Sequence, residues 1–171
     1  MQREIPPQTD VWVTEWMYVP AAYRAPIRGM GQHISRLYDL DHEMQFENLK
    51  IENNTAGFTY ALYGGPTRAD RERGIRGLSL NSIQRDQWHC VETHMKFNTP
   101  GKVNGVFEFW MDGVRYANDL SINYRASVTG NIGWNAVQVV SNTTPDAHGW
   151  PAGNMIYVED FMITVGRRGC Q

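Results

Sequence analysis

The stretch Trp88–Tyr116, WHCVETHMKFNTPGKVNGVFEFWMDGVRY, alternates apolar and polar residues in two runs around a Pro-Gly and Asn-Gly loop. Successive residues of a strand point to opposite faces, so alternation of this kind marks two half-buried strands joined as a hairpin. Val91, Met95 and Phe97 share one parity; Phe107, Phe109 and Met111 share one on the second run. If both sets face one core, odd must pair with odd. Pairing Phe97 with Phe107 sets Met95 opposite Phe109 and, on the other face, Lys96 opposite Glu108 and His94 opposite Trp110. A cross-strand Lys–Glu pair contributes about 0.2–1 kcal/mol. Asp112-Gly113 then signals a tight turn into a further strand.

The same pattern recurs along the chain. Turn signals (GMGQ, ENNTAG, YGGP, NTPG, MDG, TGNIG, PAGN) separate short runs rich in β-branched and aromatic residues. Val11–Val19, Gly57–Gly64, IRGLSLN, NAVQVVS and MIYVEDFMITV read as strands beside the two of the hairpin. Seven or so strands with little helical periodicity predict an all-β, antiparallel β-sandwich of jelly-roll type. The segment ISRLYDLDHEMQFENLKIE fits either a strand with an irregular connection or one short helix. No repeat or low-complexity stretch divides the chain, and 171 residues suit a single domain over 1–171.

Sixteen basic and eighteen acidic side chains leave a net charge of −2, which gives no global attraction to nucleic acid or membrane. No apolar run reaches the roughly 18 residues of a membrane span. The start, MQREIPPQTD, has no apolar core of a signal peptide. The protein therefore either stays inside the cell or is given in a mature or trimmed form. Cys90 and Cys170 form no zinc-type spacing; they pair if the last strand lies near the Cys90 strand, and otherwise are two thiols. Sequons at Asn53 and Asn142 matter only in a eukaryotic secretory route.

The hairpin wording, carried by Trp88, Glu92, Lys96, Asn98, Thr99, Pro100, Gly101, Asn104, Gly105, Trp110, Asp112 and Gly113, resembles jelly-roll polysaccharide lyases and their relatives in the concanavalin A-like lectin/glucanase superfamily. DVWVTEWMYVP and YVEDFMITVGRRG are similar to the early and closing strands of that group. Such relatives carry further strands before the one matching Val11–Val19, so the resemblance implies a sandwich that is minimal, completed by a partner, or lacking N-terminal strands. The paired-carboxylate motif E-x-D-x-(x)-E of the retaining glucanases, whose two acids stand about 5–5.5 Å apart, is absent. So are the R-x-E-x-R and Q-I-H or Q-V-H strands of alginate lyases.

The resemblance implies β-elimination on a uronic-acid chain. The sugar carboxylate must be neutralised, the C5 proton removed and the leaving oxygen protonated. His94 is the candidate base, with Lys96 and Arg36 as charge neutralisers. Glu92, Glu108, Trp110 and His33 are candidate substrate contacts, with Trp110 able to stack on a sugar. In this reading His33 and Arg36 edge the groove that holds His94. The simpler account makes the polar face of the hairpin a solvated one with a routine Lys96–Glu108 pair.

Arg68, Arg71, Arg73, Arg76 and Arg85, interleaved with Asp70, Glu72 and Asp86, read as a solvated loop or, more sharply, as an anion-contacting lid. On the first strand Trp12, Trp16 and Tyr18 share one face, and Val11, Val13, Glu15 and Met17 the other. Glu15 spoils the second face as a core layer, so the Trp set is assigned to the core. No metal is expected; Asn118, Asp119 and Asp160 are the only weak candidates for Ca²⁺, without an EF-hand-type loop.

The function that fits best is a carbohydrate-active or carbohydrate-binding jelly roll that takes a polysaccharide or oligosaccharide partner and cleaves acidic glycans as a lyase does. The alternative is a non-catalytic assembly sandwich, a coat, fibre or oligomer subunit, with a second copy of the chain as its partner.

Overall fold

The computed structural model describes residues 2–24, 32–51, 57–64, 71–125, 127–130, 132–141 and 155–171. They form β1 (Gln2–Gln8), β2 (Asp10–Tyr18), β3 (Gln32–Asp39), β4 (Met44–Ile51), β5 (Gly57–Gly64), β6 (Arg71–Ser79), β7 (Trp88–Lys96), β8 (Gly105–Met111), β9 (Val114–Ile122), β10 (Trp134–Ser141) and β11 (Tyr157–Thr164). The strands make two antiparallel sheets. The front sheet has the order β1-β10-β3-β4-β5-β6, the back sheet β11-β2-β7-β8-β9. The predicted all-β sandwich is the fold.

The sequence under-counts the strands for physical reasons. β1 contains Pro6 and Pro7, which cannot donate to a ladder; it is tolerated as an edge strand paired only with β10, and its register breaks between Glu4 and Gln8. A strand thus precedes the one that starts at Asp10. The ambiguous segment resolves as β3, a single 3-10 turn over Leu40–His42, and β4. Both strands are bulged, which blurs their alternation.

The two sheets meet through aromatic rings. Phe46, Tyr60 and Trp134 project from the front sheet, Phe107 from the back sheet, and Phe97 and Tyr124 fill the end of the core. Tyr60 stacks on Phe107 with centroids 3.8 Å apart, and Phe97 lies 4.5 Å from Trp134. At Gly105 an added Cβ would lie 2.5 Å from the Ile122 carbonyl oxygen and 2.7 Å from the Tyr124 ring, so only glycine lets β8 begin there.

The hairpin register differs from the expected one by two residues. Met95 faces Phe107, His94 faces Glu108, Glu92 faces Trp110 and Lys96 faces Val106. Parity survives a shift of two, so the apolar face remains inward. The shift arises because Phe97 leaves the hairpin: its N–H donates to the Thr9 carbonyl. Asn98 then organises the connection, donating through Nδ2 to the carbonyls of Thr99 and Lys102 and accepting the Arg125 N–H. Asp112 and Gly113 both have positive φ, 51° and 78°, and form the expected tight turn into β9.

On β2 the face assignment is reversed. Val11, Val13, Glu15 and Met17 are inside, each 1% exposed or less, while Trp12 and Trp16 point outward. Glu15 does not sit at a rim. Its Oε1 accepts a hydrogen bond from Ser35 Oγ at 2.9 Å, and its Oε2 finds no partner among the described residues. Burial pushes the Glu15 carboxyl up to about 7, against the opposing pull of the Ser35 hydroxyl. From its ordinary 4.5 that displacement corresponds to ~3 kcal/mol. A neutral buried acid is tolerated, so a folded value above the unfolded one means full stability below about pH 4.5, lost as pH rises toward about 7. Glu15→Gln should therefore gain up to ~3 kcal/mol over the parent at pH 8 and nothing comparable at pH 4, read from urea unfolding at both values. Equal differences at the two pH values would contradict a titrating core acid.

Candidate functional site

The outward side of the back sheet carries the polar residues of the hairpin. Its cross-strand rows are set by the β2–β7–β8 ladders: Trp12–His94–Glu108 and Thr14–Glu92–Trp110 lie one above the other. His94 stacks on Trp12, centroids 4.4 Å apart and planes within 6°. Its Nδ1 lies 2.8 Å from Glu108 Oε2 and its Nε2 2.9 Å from Asp10 Oδ1. Both ring nitrogens face carboxylates, so neither has a lone pair directed at open space. Glu108 also accepts from Arg115 at 3.2 Å. Lys96 pairs with Asp10 at 3.0 Å, not with the expected Glu108, because its register partner is Val106. Partial burial would raise the Asp10 carboxyl, but His94 and Lys96 outweigh it and hold it below its ordinary value.

Residues from the far end of the chain close this face. Arg167 makes a bidentate pair with Glu92, 2.9 Å at both contacts, and its guanidinium lies 4.5 Å from the centroid of Trp110. Cys90 and Cys170 form a disulfide, the first of the two outcomes left open by the sequence. Trp16 Nε1 donates to the Gln171 carbonyl at 3.3 Å. Trp110 is left 8% exposed beneath the Arg167 guanidinium. No local signal marks Arg167 as a partner of Glu92, 75 residues away.

The other outward side belongs to the front sheet, and there the sequence candidates His33 and Arg36 lie. Leu37 points into the core, so its neighbours Arg36 and Tyr38 point away from it. Lys50, between the core residues Leu49 and Ile51, does the same, and the register places His33 beside it and Thr59 beyond. Gln138 of β10 lies opposite Arg36 and accepts a 2.5 Å hydrogen bond from the Tyr38 hydroxyl. His33, Arg36 and Lys50 are only 8%, 7% and 7% exposed although they sit on an outward face. This side therefore collects basic, amide and phenol groups on the adjacent strands β10, β3 and β4, with Glu47 of β4 at the register position opposite Arg36.

The single groove expected around His94 is thus divided. His94, Lys96, Glu92, Glu108 and Trp110 lie together on the back sheet, while His33 and Arg36 lie on the front sheet, on the opposite side of the sandwich. Tyr38 and Gln138 are the residues that sequence reading missed. Tyr38 is findable as the residue two beyond Arg36 on one strand face; Gln138 requires the β3–β10 pairing.

The expected arginine lid lies largely outside the described residues. Arg68 and Asp70 fall there, as do the side chains of Arg71, Glu72, Arg73 and Arg76, and both sequons. Arg85 and Asp86 serve the chain itself: Arg85 donates to the carbonyls of Leu80 and Pro20, and Asp86 accepts from Ala21 N–H and the Tyr18 hydroxyl. The weak calcium candidates do not converge, since Asn118 and Asp119 are on β9 and Asp160 on β11, the two opposite edges of the back sheet. Among the described residues, no group of three or more His, Cys, Asp or Glu could hold a metal ion, and no helix is long and apolar enough to cross a membrane.

No family model matches the chain, and no curated protein matches it. Solved structures do match by shape. An alginate lyase, vAL-1, from a Chlorella virus superposes with a TM-score of 0.66 at 13% identity, over 91% of this chain and 70% of that one. An endo-β-1,4-glucuronan lyase from the fungus Trichoderma reesei gives 0.66 at 10% identity, over 96% and 74%. The galectin LEC-6 of Caenorhabditis elegans gives 0.52 at 10% identity, over 96% and 89%. All are concanavalin A-like jelly rolls, and that is the fold of this chain.

The back-sheet network orders its members by burial. Glu92 is nearly enclosed, whereas Lys96 and Asp10 stand largely in water. Arg167→Ala should cost ~1–3 kcal/mol by stranding the Glu92 carboxylate, and Lys96→Ala under ~1 kcal/mol, both by chemical denaturation. An equal loss from the two would contradict this ranking.

Proposed function

We propose that the chain binds an acidic polysaccharide on the outward side of the front sheet, and that it cleaves the polymer by β-elimination. The observation that carries this reading is the clustering of His33, Arg36 and Lys50 on that face, each nearly buried, with Tyr38 and Gln138 beside them. Cations gathered in a place of restricted solvent attract a carboxylate-bearing chain more strongly than the same charges in open water. The jelly-roll fold shared with an alginate lyase and a glucuronan lyase is consistent with such a partner.

In this mechanism Arg36, with the Gln138 amide, holds the uronate carboxylate and disperses the charge that builds up as the C5 proton leaves. His33 or the Tyr38 phenol takes that proton, and the second of the pair protonates the departing glycosidic oxygen. The polar face around His94 has no part in it, because both imidazole nitrogens are already engaged.

The test is a panel of uronic-acid polymers, with binding followed by calorimetry and cleavage by the ultraviolet absorbance of an unsaturated uronate product. Arg36→Ala should weaken binding about tenfold to a hundredfold, the loss of one charge-assisted hydrogen bond of ~1.5–3 kcal/mol. His33→Ala should lower turnover more than affinity, and His94→Ala should leave both unchanged. Silence of the parent protein across the panel, or loss of binding with His94→Ala but not Arg36→Ala, would overturn the proposal.

A further inference from the structure

The segment Val165–Gln171 leaves the back sheet after β11 and turns back over its outward side. Its attachments are few and specific. Arg167 docks on Glu92 and over Trp110, the Gln171 carbonyl meets Trp16 Nε1, and Cys170 is bonded to Cys90. Cys90 belongs to the outward set of β7, with Glu92 and His94, so the disulfide joins the segment to the outside of a sheet and does not join the two sheets to each other. Val165 is 81% exposed, and Gly166, Arg167 and Arg168 are exposed as well. The segment thus buries little of itself. The ladders β11–β2, β2–β7, β7–β8 and β8–β9 pair strand with strand beneath it, and none of their register partners lies in 165–171. What it hides is an aromatic and acidic surface: Trp12, Thr14, Trp16, Trp110 and the carboxylate of Glu92.

We propose that Val165–Gln171 is a strap released by thiol reductants, with the Cys90–Cys170 bond as its latch and the tryptophan face with Glu92 as the surface it uncovers. The latch opens by thiol–disulfide exchange. A dithiol reductant supplies two electrons and two protons, the Cys90–Cys170 bond breaks to two thiols, and the reductant leaves as its own disulfide. The strap is then held only by the Arg167–Glu92 pair, the contacts of that guanidinium with Trp12 and Trp110, and the Trp16–Gln171 hydrogen bond, in exchange with an open form. The uncovered surface suits a cationic group, since it already seats a guanidinium between a carboxylate and two indole rings.

The experiment is hydrogen–deuterium exchange of the full chain with and without dithiothreitol, together with acrylamide quenching of tryptophan emission. The chain has only two cysteines, so the reductant acts at this bond alone. Reduction should increase quenching of the tryptophans, while amides of β2, β7 and β8 keep their protection. Cys170→Ser should show the same pattern without reductant. Unchanged quenching with both thiols titrated free would overturn the proposal, because the non-covalent contacts would then suffice. Collapse of protection across β2, β7 and β8 would overturn it too, since the bond would then be a staple of the fold.

Discussion

The stack of Tyr60 on Phe107, centroids 3.8 Å apart, joins the two sheets of this protein at the centre of an aromatic core. Where the strands are regular, the pleat then turns the neighbours of each core residue outward; the bulges of β3 and β4 interrupt this. Leu37 inward puts Arg36 and Tyr38 on the front surface; Val91 and Met95 inward put Glu92 and His94 on the back. The sandwich thereby sorts its polar residues into two sets that never meet. Glu15 departs from this sorting: with Thr93 and Ser35 it lies inside, its carboxyl bonded by Ser35 and its proton affinity raised by burial.

The two surfaces are chemically unlike. On the back, carboxylates and cations compensate one another around Trp12, Trp110 and His94, and a covalently latched segment lies over them. Such a face is closed and self-satisfied, so its interest lies in what uncovers it. On the front, imidazole, guanidinium and ammonium groups are drawn together with a phenol and an amide. Under the proposed function, a carboxylate-bearing polymer is the partner that such a set of groups would suit.

How far the sequence foretold this depends on how local each signal is. Alternation and turn residues are local, so the all-β sandwich, the Asp112-Gly113 turn and the inward parity of the hairpin were legible. The exact register was not, because parity is blind to a shift of two and the bond that draws Phe97 out of the hairpin goes to the distant Thr9 carbonyl. The outward placement of Trp12 and Trp16 was missed because Glu15 seemed to forbid its face from the core, a rule that a protonated, hydrogen-bonded carboxyl escapes. β1 was missed because its prolines are tolerable only at an edge. His33 and Arg36 are legible as two polar residues of one strand, but which sheet they occupy depends on pairings between strands about a hundred residues apart.

The central claim is that the front sheet, and not the hairpin face, meets the acidic glycan. Chemical-shift mapping with a short oligouronate tests it most directly. The account requires perturbed amides along β3, β4 and β10 around Arg36, Lys50 and Gln138, with β7 and β8 silent. Perturbations confined to the Trp12–His94–Trp110 face would contradict it.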